Sequence, residues 1–253
     1  MFLFQQPSPT RYDLRFSVLG IPVRVHPLFW LITLLLGSAG DLLLIPIWVI
    51  VVFVSILVHE LGHALAFRRF GQRSHIVLHM AGGLTIPESV SWGSGWANVA
   101  LSPWQEIFIS IAGPGAGFLF AGLLILIITI TGGSVQPSWL FGLIPLPVHA
   151  TMSFGGPYVS VLATLFLWVN IFWGLINLMP VQPLDGGNVA RNLFIHYDPL
   201  DGLRKSLWLS AITGVLLAII GLFAFRSLFM ALLFGLLAFQ SYQAVQGRYG
   251  GRF

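Results

Sequence analysis

The sequence predicts an all-α polytopic membrane protein of about six transmembrane helices, with a small β-sheet at the cytoplasmic membrane interface. Three observations predict it. Of 253 residues, 57% are hydrophobic and 8% are charged, against about a quarter charged in a soluble globular domain, so there is too little charge to coat a water-facing surface. Six stretches approach the ~20 apolar residues that cross a hydrocarbon core about 30 Å thick. The twelve Lys and Arg residues also fall almost entirely on one side of that arrangement.

Residues 1–26 read as interfacial strands. Tyr12, Leu14 and Phe16 alternate with Asp13 and Arg15, the period of a half-buried strand. Leu19-Gly20-Ile21-Pro22 then turns the chain into Val23-Arg24-Val25. Helices one and two occupy 27–70, as a short span from Pro27 to Ala39 and a longer one from Leu42 to about Phe67. A second strand region fills 73–88, with Ser74 to Ile86 bending at Gly82-Gly83. Helix three covers 103–131, opened by Ser102 as cap, Pro103 at the first helical position and Gln105 completing a capping box. Gly132 to Pro157 contains several prolines and no Asp, Glu, Lys or Arg, and reads as an external segment. Helix four and the loop after it take 158–187, with the span from Tyr158 to Met179. Helices five and six take 206–246, from Ser206 to Phe225 and from Ser227 to Val245. No repeat or appended soluble domain is visible, so 1–253 reads as a single domain.

Basic residues orient the spans. With a cytoplasmic N-terminus, Arg11, Arg15, Arg24, Arg68, Arg69, Arg73, Arg191, Arg204, Lys205, Arg248 and Arg252 all lie inside, and only Arg226 lies outside. Both termini are therefore expected in the cytoplasm, and a bacterial-type cytoplasmic membrane is the expected home. The net charge of +4 then reports topology. No basic cluster is longer than Arg68-Arg69, and no nucleic-acid partner is expected. Cysteine is absent, which excludes disulfides, thiolate-bound zinc and a thiol nucleophile.

Ionisable side chains inside a span are costly and mark function. The second span carries His59-Glu60-Leu61-Gly62-His63. Residues four apart lie on one helix face, so both imidazoles can bind one metal ion with Glu60 beside the open coordination position, the arrangement of zinc hydrolases. Arg69 lies about 9 Å further along the axis, which puts the metal in the membrane near its cytoplasmic side. Zinc needs a third protein ligand. His26 is interfacial, His149 external, and His196 lies in a polar stretch after span four. His75 and His79 are nearer, on one face of the inner strand, where a solvated role is the commoner one. Asp185 is the better candidate. It follows Pro180 and Pro183, which break the helix, and precedes Gly186-Gly187, which permit a tight turn; helix four also descends to the depth of the His pair. Glu106, in the first turn of helix three, and Glu88, at the end of the sheet, read as structural or solvated.

These residues carry a resemblance. The chain resembles the site-2 protease family of intramembrane zinc metalloproteases, through His59-Glu60-Leu61-Gly62-His63 and the segment Asn177, Pro180 and Leu184-Asp185-Gly186. Gly113-Pro114-Gly115-Ala116-Gly117 and the Gly82-Gly83 strand region also look like the family. The resemblance implies cleavage of a transmembrane protein substrate within the lipid bilayer, as in regulated intramembrane proteolysis. It implies Zn2+ held by His59, His63 and Asp185, with Glu60 as general base. Asn177 would position the substrate carbonyl or stabilise the oxyanion, though an inter-helix hydrogen bond is the plainer role for it. The segments between the spans read as too short for the PDZ domain that many members carry, and no nucleotide-binding appendage is expected. An edge near Gly82 to Ile86 would hold an unwound substrate by strand addition, and the Gly113–Gly117 run reads first as close helix packing. Two rival readings are a metal-binding transporter, which lacks a polar ladder through the outer halves of the spans, and an inactive scaffold, which the retained Glu60 and ligands oppose. Oligomeric state has no sequence signal.

Overall fold

The computed structural model describes residues 7–37, 44–88, 101–140 and 144–249. The expected helix ends at Ala39 and Leu42, and Arg252, lie outside the described residues. Among the described residues, five helices are long and apolar enough to cross a membrane: Ile45–Arg69, Pro103–Ile130, Gly156–Asn177, Gly202–Phe223 and Leu228–Gly247. The first expected span is an apolar helix of 11 residues, α1 (Pro27–Gly37), shorter than the ~20 that bridge the hydrocarbon. The chain divides into two compact units: Met1–Ala100 with Ala112–Leu175, and Leu101–Ile111 with Ile176–Phe253.

In the first unit, β1 (Leu14–Val18), β2 (Ile21–Val25), β3 (Ser74–His79) and β4 (Gly82–Pro87) form a sheet in the order β1-β2-β3-β4. The β1–β2 hairpin turns at Leu19 and Gly20, which both take positive φ (53° and 77°), as a two-residue hairpin loop demands. In β2, Ile21, Val23 and Val25 are buried while Pro22 faces out. These join Phe29, Ala64, Ile76 and Leu78 in one core, where each large apolar side chain withdrawn from water contributes ~1.5–3 kcal/mol. β3 runs parallel to β2 and antiparallel to β4. The bend expected at Gly82-Gly83 falls instead at Met80-Ala81, and both glycines belong to β4. β1 and β4 are the two edge strands.

Helix α2 (Ile45–Arg69) ends in a Schellman motif. Gly71 takes φ 78°, its N–H reaches Arg68 O, and the Gln72 N–H reaches Phe67 O. Glycine tolerates that left-handed residue without strain, which satisfies carbonyls the helix would leave open. Arg68 and Arg69 in the last turn complement the helix dipole. Helix α3 (Pro103–Ile130) opens with the expected capping box: the Ser102 N–H donates to Gln105 Oε1 at 2.9 Å, and the Gln105 N–H donates to Ser102 Oγ at 3.3 Å.

The uncharged segment expected to be an external connection is a β-hairpin, β5 (Ser134–Leu140) and β6 (Ile144–Thr151), bulged between Gln136 and Pro137. Leu146, Val148 and Ala150 of β6 pack with Ala121 and Ile128 of α3 and Ala163 and Leu167 of α4 (Gly156–Trp168). Two hydroxyls on α4 take up free β6 backbone: Thr164 Oγ1 accepts from the Ala150 N–H, and Ser160 Oγ accepts from the Met152 N–H, both at 3.0 Å. After α4 the helix widens into a π turn, Val169–Trp173, before α5 (Gly174–Asn177).

The second unit holds α6 (Asp185–Tyr197), α7 (Gly202–Phe223) and α8 (Leu228–Tyr249). The α7–α8 hairpin packs through small residues, since a Cβ on Gly214 would meet Ala238 Cβ at 2.9 Å. Side chains such as Ile212, Val215, Leu216 and Ile219 of α7 and Leu232 and Phe239 of α8 are exposed, as lipid-facing positions are.

Candidate metal centre

Three residues of α2 recur every four positions: Ser55, His59 and His63. That spacing lines them along one helix face, each about 6 Å from the next. The Nε2 atoms of His59 and His63 lie 3.1 Å apart, with ring centroids 4.8 Å apart and planes at 77°. Two nitrogens on one tetrahedral zinc at 2.0–2.1 Å are separated by about 3.3 Å. The pair is therefore set at zinc-ligand spacing by the helix itself.

Neighbouring elements hold that face. Gly113 of α3 lies against His63, and a Cβ there would overlap the ring at Nε2, Cε1 and Cδ2. The missing side chain leaves open the space beside His63 Nε2, so donor set and cradle both fit a metal ion. Gly62 similarly lets α2 approach the Ala112 carbonyl, with Ala116 Cβ 2.8 Å from where its own Cβ would be. The Gly113–Gly117 run thus acts in helix packing, although Gly115 meets nothing within 4 Å.

Glu60 is 5% exposed. Thr85 of β4 lies 2.7 Å from Glu60 Oε2 and 3.0 Å from Glu60 O. Gly83, two residues earlier on the same strand face, has no side chain because one would overlap the carboxylate. Asn170 sits in the π turn, 4% exposed. Its Nδ2 donates to Ser55 Oγ at 2.9 Å and to Phe166 O at 2.8 Å, while Oδ1 lies 3.4 Å from the Cβ position of Gly117. Ser55, Thr85 and Asn170 are additions to the residues that the sequence singles out. Ser55 is accessible to spacing arguments, being one turn before His59 on its face; Thr85 and Asn170 require the tertiary fold.

In the second unit, Asp185 is not in a turn, as its Gly-Gly neighbours suggested. It is the first residue of α6, after an extended Leu184 (ψ 162°), where the helix dipole favours a carboxylate. Gly186 and Gly187 serve close approach: a Cβ on Gly186 would overlap the Leu178 carbonyl, and one on Gly187 would come within 2.6 Å of Val181 backbone. The loop before Asp185 is anchored from within the unit. The Gln182 N–H donates to Ser210 Oγ at 2.7 Å, Ser210 and Ser241 hydroxyls lie 2.7 Å apart, and Ser241 Oγ donates to Leu237 O at 3.0 Å. Asn177 ends α5, half-buried, and its side chain has no hydrogen-bond partner among the described residues.

The remaining histidines separate. His149 is exposed on β6, and the His196 ring lies 5.4 Å from that of Trp104. His79, expected to be solvated, is instead 4% exposed at the end of β3, and His26, expected at the interface, is 9% exposed beside it at the end of β2. The His26 N–H donates to Leu78 O, which brings the strand ends together. Burial, with His26 and Arg24 nearby, holds the His79 imidazole below its ordinary range. Asp13 accepts from the Thr10 hydroxyl at 2.6 Å and from Arg24 at 3.0 Å. Burial alone would raise its carboxyl; the Thr10 and Arg24 bonds outweigh that and hold it at about 2.

Residues 47–221 match the profile of peptidase family M50. The chain is 32% identical over 193 residues to a Synechocystis protein named as a zinc metalloprotease, covering 70% of this chain and 42% of that protein. It is 27% identical over 232 residues to a zinc metalloprotease of Methanocaldococcus jannaschii, covering 90% and 55%. The chain thus spans about half the length of the curated relatives it matches. Among solved structures, the site-2 protease from Methanocaldococcus jannaschii aligns with a TM-score of 0.53 at 26% identity, over 92% of this chain and 95% of that one.

Proposed function

Because this chain belongs to peptidase family M50, we propose that it is a zinc-dependent intramembrane endopeptidase that hydrolyses a peptide bond in or near a transmembrane segment of a membrane-protein substrate. The observation that carries the reading is the pair of imidazole Nε2 atoms 3.1 Å apart on an apolar helix, beside a buried glutamate. A polar cluster of that kind inside a span is otherwise costly.

His59 and His63 hold the metal from α2. Asp185 is the third ligand in this reading, supported by the need for three protein donors and by its place at a helix N-terminus, which suits a carboxylate. The chemistry supplied by zinc in such a site is Lewis acidity, which polarises a carbonyl and lowers the pKa of water to about 7. Glu60 takes the proton of the attacking water and delivers it to the leaving amine. The Asn177 side-chain amide is a hydrogen-bond donor for the scissile carbonyl oxygen as charge builds on it. The substrate must unwind locally, because helical hydrogen bonds shield its peptide carbonyls, and the outer edge of β4 offers backbone partners to the unwound stretch. Arg68 and Arg69 at the end of α2 support a site toward the cytoplasmic face.

Glu60→Gln in proteoliposomes tests this, with a panel of single-span proteins as substrate. Zinc content should match wild type while cleavage falls by the ~10²–10⁴-fold that a general base contributes. Cleavage at the wild-type rate would overturn the assignment of Glu60 as base.

A further inference from the structure

We infer that Thr85 is a positioning residue for the Glu60 carboxylate, so that β4 carries both an edge of the sheet and the hydroxyl that aims the base. This inference rests on the proposed role of Glu60.

A threonine hydroxyl has one hydrogen to donate, yet two Glu60 oxygens lie within reach, Oε2 at 2.7 Å and the main-chain O at 3.0 Å. The main-chain oxygen lies in the interior of α2, where the amide four residues on is its helical partner. Oε2 is nearer and charged when it serves as a base, and a hydrogen bond to an ionised acceptor is roughly twice as strong as a neutral one. The hydroxyl hydrogen therefore belongs to Oε2, and the bond fixes the side-chain torsions of Glu60. Gly83 and Thr85 alternate onto the same strand face. Gly83 supplies the space for the carboxylate, and Thr85 supplies the donor that ends its freedom within it.

Among the described residues the same strand pairs with β3 along one side only, in the register Thr85↔Ile76 and Gly83↔Leu78. An extended peptide added to the other side of β4 would take its position from the backbone that sets Thr85. Base and scissile bond would then be referred to one strand, which keeps their separation constant as substrates vary. A misplacement of 1 Å can cost about 10²-fold in rate.

Thr85→Val keeps the branched shape and removes the hydroxyl. The expected result is a 10- to 100-fold lower kcat, in line with that positional sensitivity, with KM, zinc content and melting temperature at wild-type values. Thr85→Ser should restore kcat to within a few-fold, and Thr85→Ala should not. If the valine variant fails to fold, the Ser and Ala pair, differing by one oxygen, still decides the matter. Equal kcat in Ser and Ala variants, or a loss confined to KM, would overturn the inference. Glu60→Gln, measured alongside, separates the two levels: full activity there removes the base itself, whereas an inactive Glu60→Gln beside a fully active Thr85→Val removes only the positioning role.

Discussion

The two donor-bearing regions are built on opposite principles. His59 and His63 sit in an unbroken 25-residue helix, where the 3.6-residue repeat alone brings the rings together and neighbours only clear space around them. Asp185 stands at the start of a helix, after a loop whose direction depends on glycines packed on backbone and on one hydroxyl that receives the Gln182 amide. The comparison teaches that a periodic element carries its own geometry, whereas an aperiodic one borrows it from contacts distant in sequence. Small residues serve both regions, for side-chain room around His63 and for backbone room around Val181.

The hardest test of that contrast is a methyl group added to each region. Gly113→Ala should push on the His63 ring at Nε2, with zinc content dropping and cleavage falling by about 10²-fold or more. Gly187→Ala should first lower thermal stability, by the ~1–3 kcal/mol typical of overpacking, as monitored by melting in detergent. If Gly113→Ala keeps full zinc and Gly187→Ala keeps the wild-type melting point, glycine clearance is not what sets either region.

A smaller effect is expected from the loop anchor. Ser210→Ala leaves the Gln182 amide without its acceptor, at a cost of about 1–3 kcal/mol, whereas Ser55→Ala leaves the helical spacing of His59 and His63 unchanged. Zinc affinity measured by chelator competition should therefore fall in the first variant and hold in the second. The reverse pattern would show that α2 needs its Asn170 partner more than the loop needs Ser210.

The smallest effect lies in the sheet and depends on pH. His79 is held below its ordinary range, so unfolding lets it gain a proton. Its contribution to stability is complete above the unfolded value near 6.5 and declines as pH falls below it. Asp13 behaves as a depressed carboxylate: its contribution is intact above about 4 and fades as pH falls toward about 2. Melting temperature should fall in two steps on acidification; His79→Gln should flatten the upper one, and Arg24→Gln the lower.

Much of this fold was legible because local chemistry and tertiary structure agree. The Ser102–Gln105 box and the His-Glu-x-x-His repeat appear where elementary rules put them, whereas the Tyr12–Phe16 alternation misassigns its faces: Tyr12 and Leu14 are exposed and the Asp13 side chain is buried. The β5–β6 hairpin was hidden although it obeys a rule: Leu146, Val148 and Ala150 are buried and alternate with exposed Pro145, Pro147 and His149. Prolines argue against a strand unless it lies at an edge, and in a two-stranded sheet both strands are edges. Helix α6 was missed because Gly186-Gly187 read as a turn, when the pair was needed for close backbone approach. Within the site, the His pair and Glu60 came directly from spacing. Thr85 and Asn170 reach α2 from 25 and 115 residues away from their partners Glu60 and Ser55, and no local pattern encodes such pairings.

The π turn at Val169–Trp173 has a consequence for how this sequence tolerates length changes. A π turn accommodates one residue more than the α-helical turn it replaces, so the helix holds an insertion already absorbed. Removing a residue beside Asn170 should return an ordinary helix and leave the rest of it in register with the start of α4, because the five residues of the π turn cover about the rotation of four α-helical ones. Removing Asn170 itself would take away the amide that holds Ser55. In this segment the type of one residue matters more than the number.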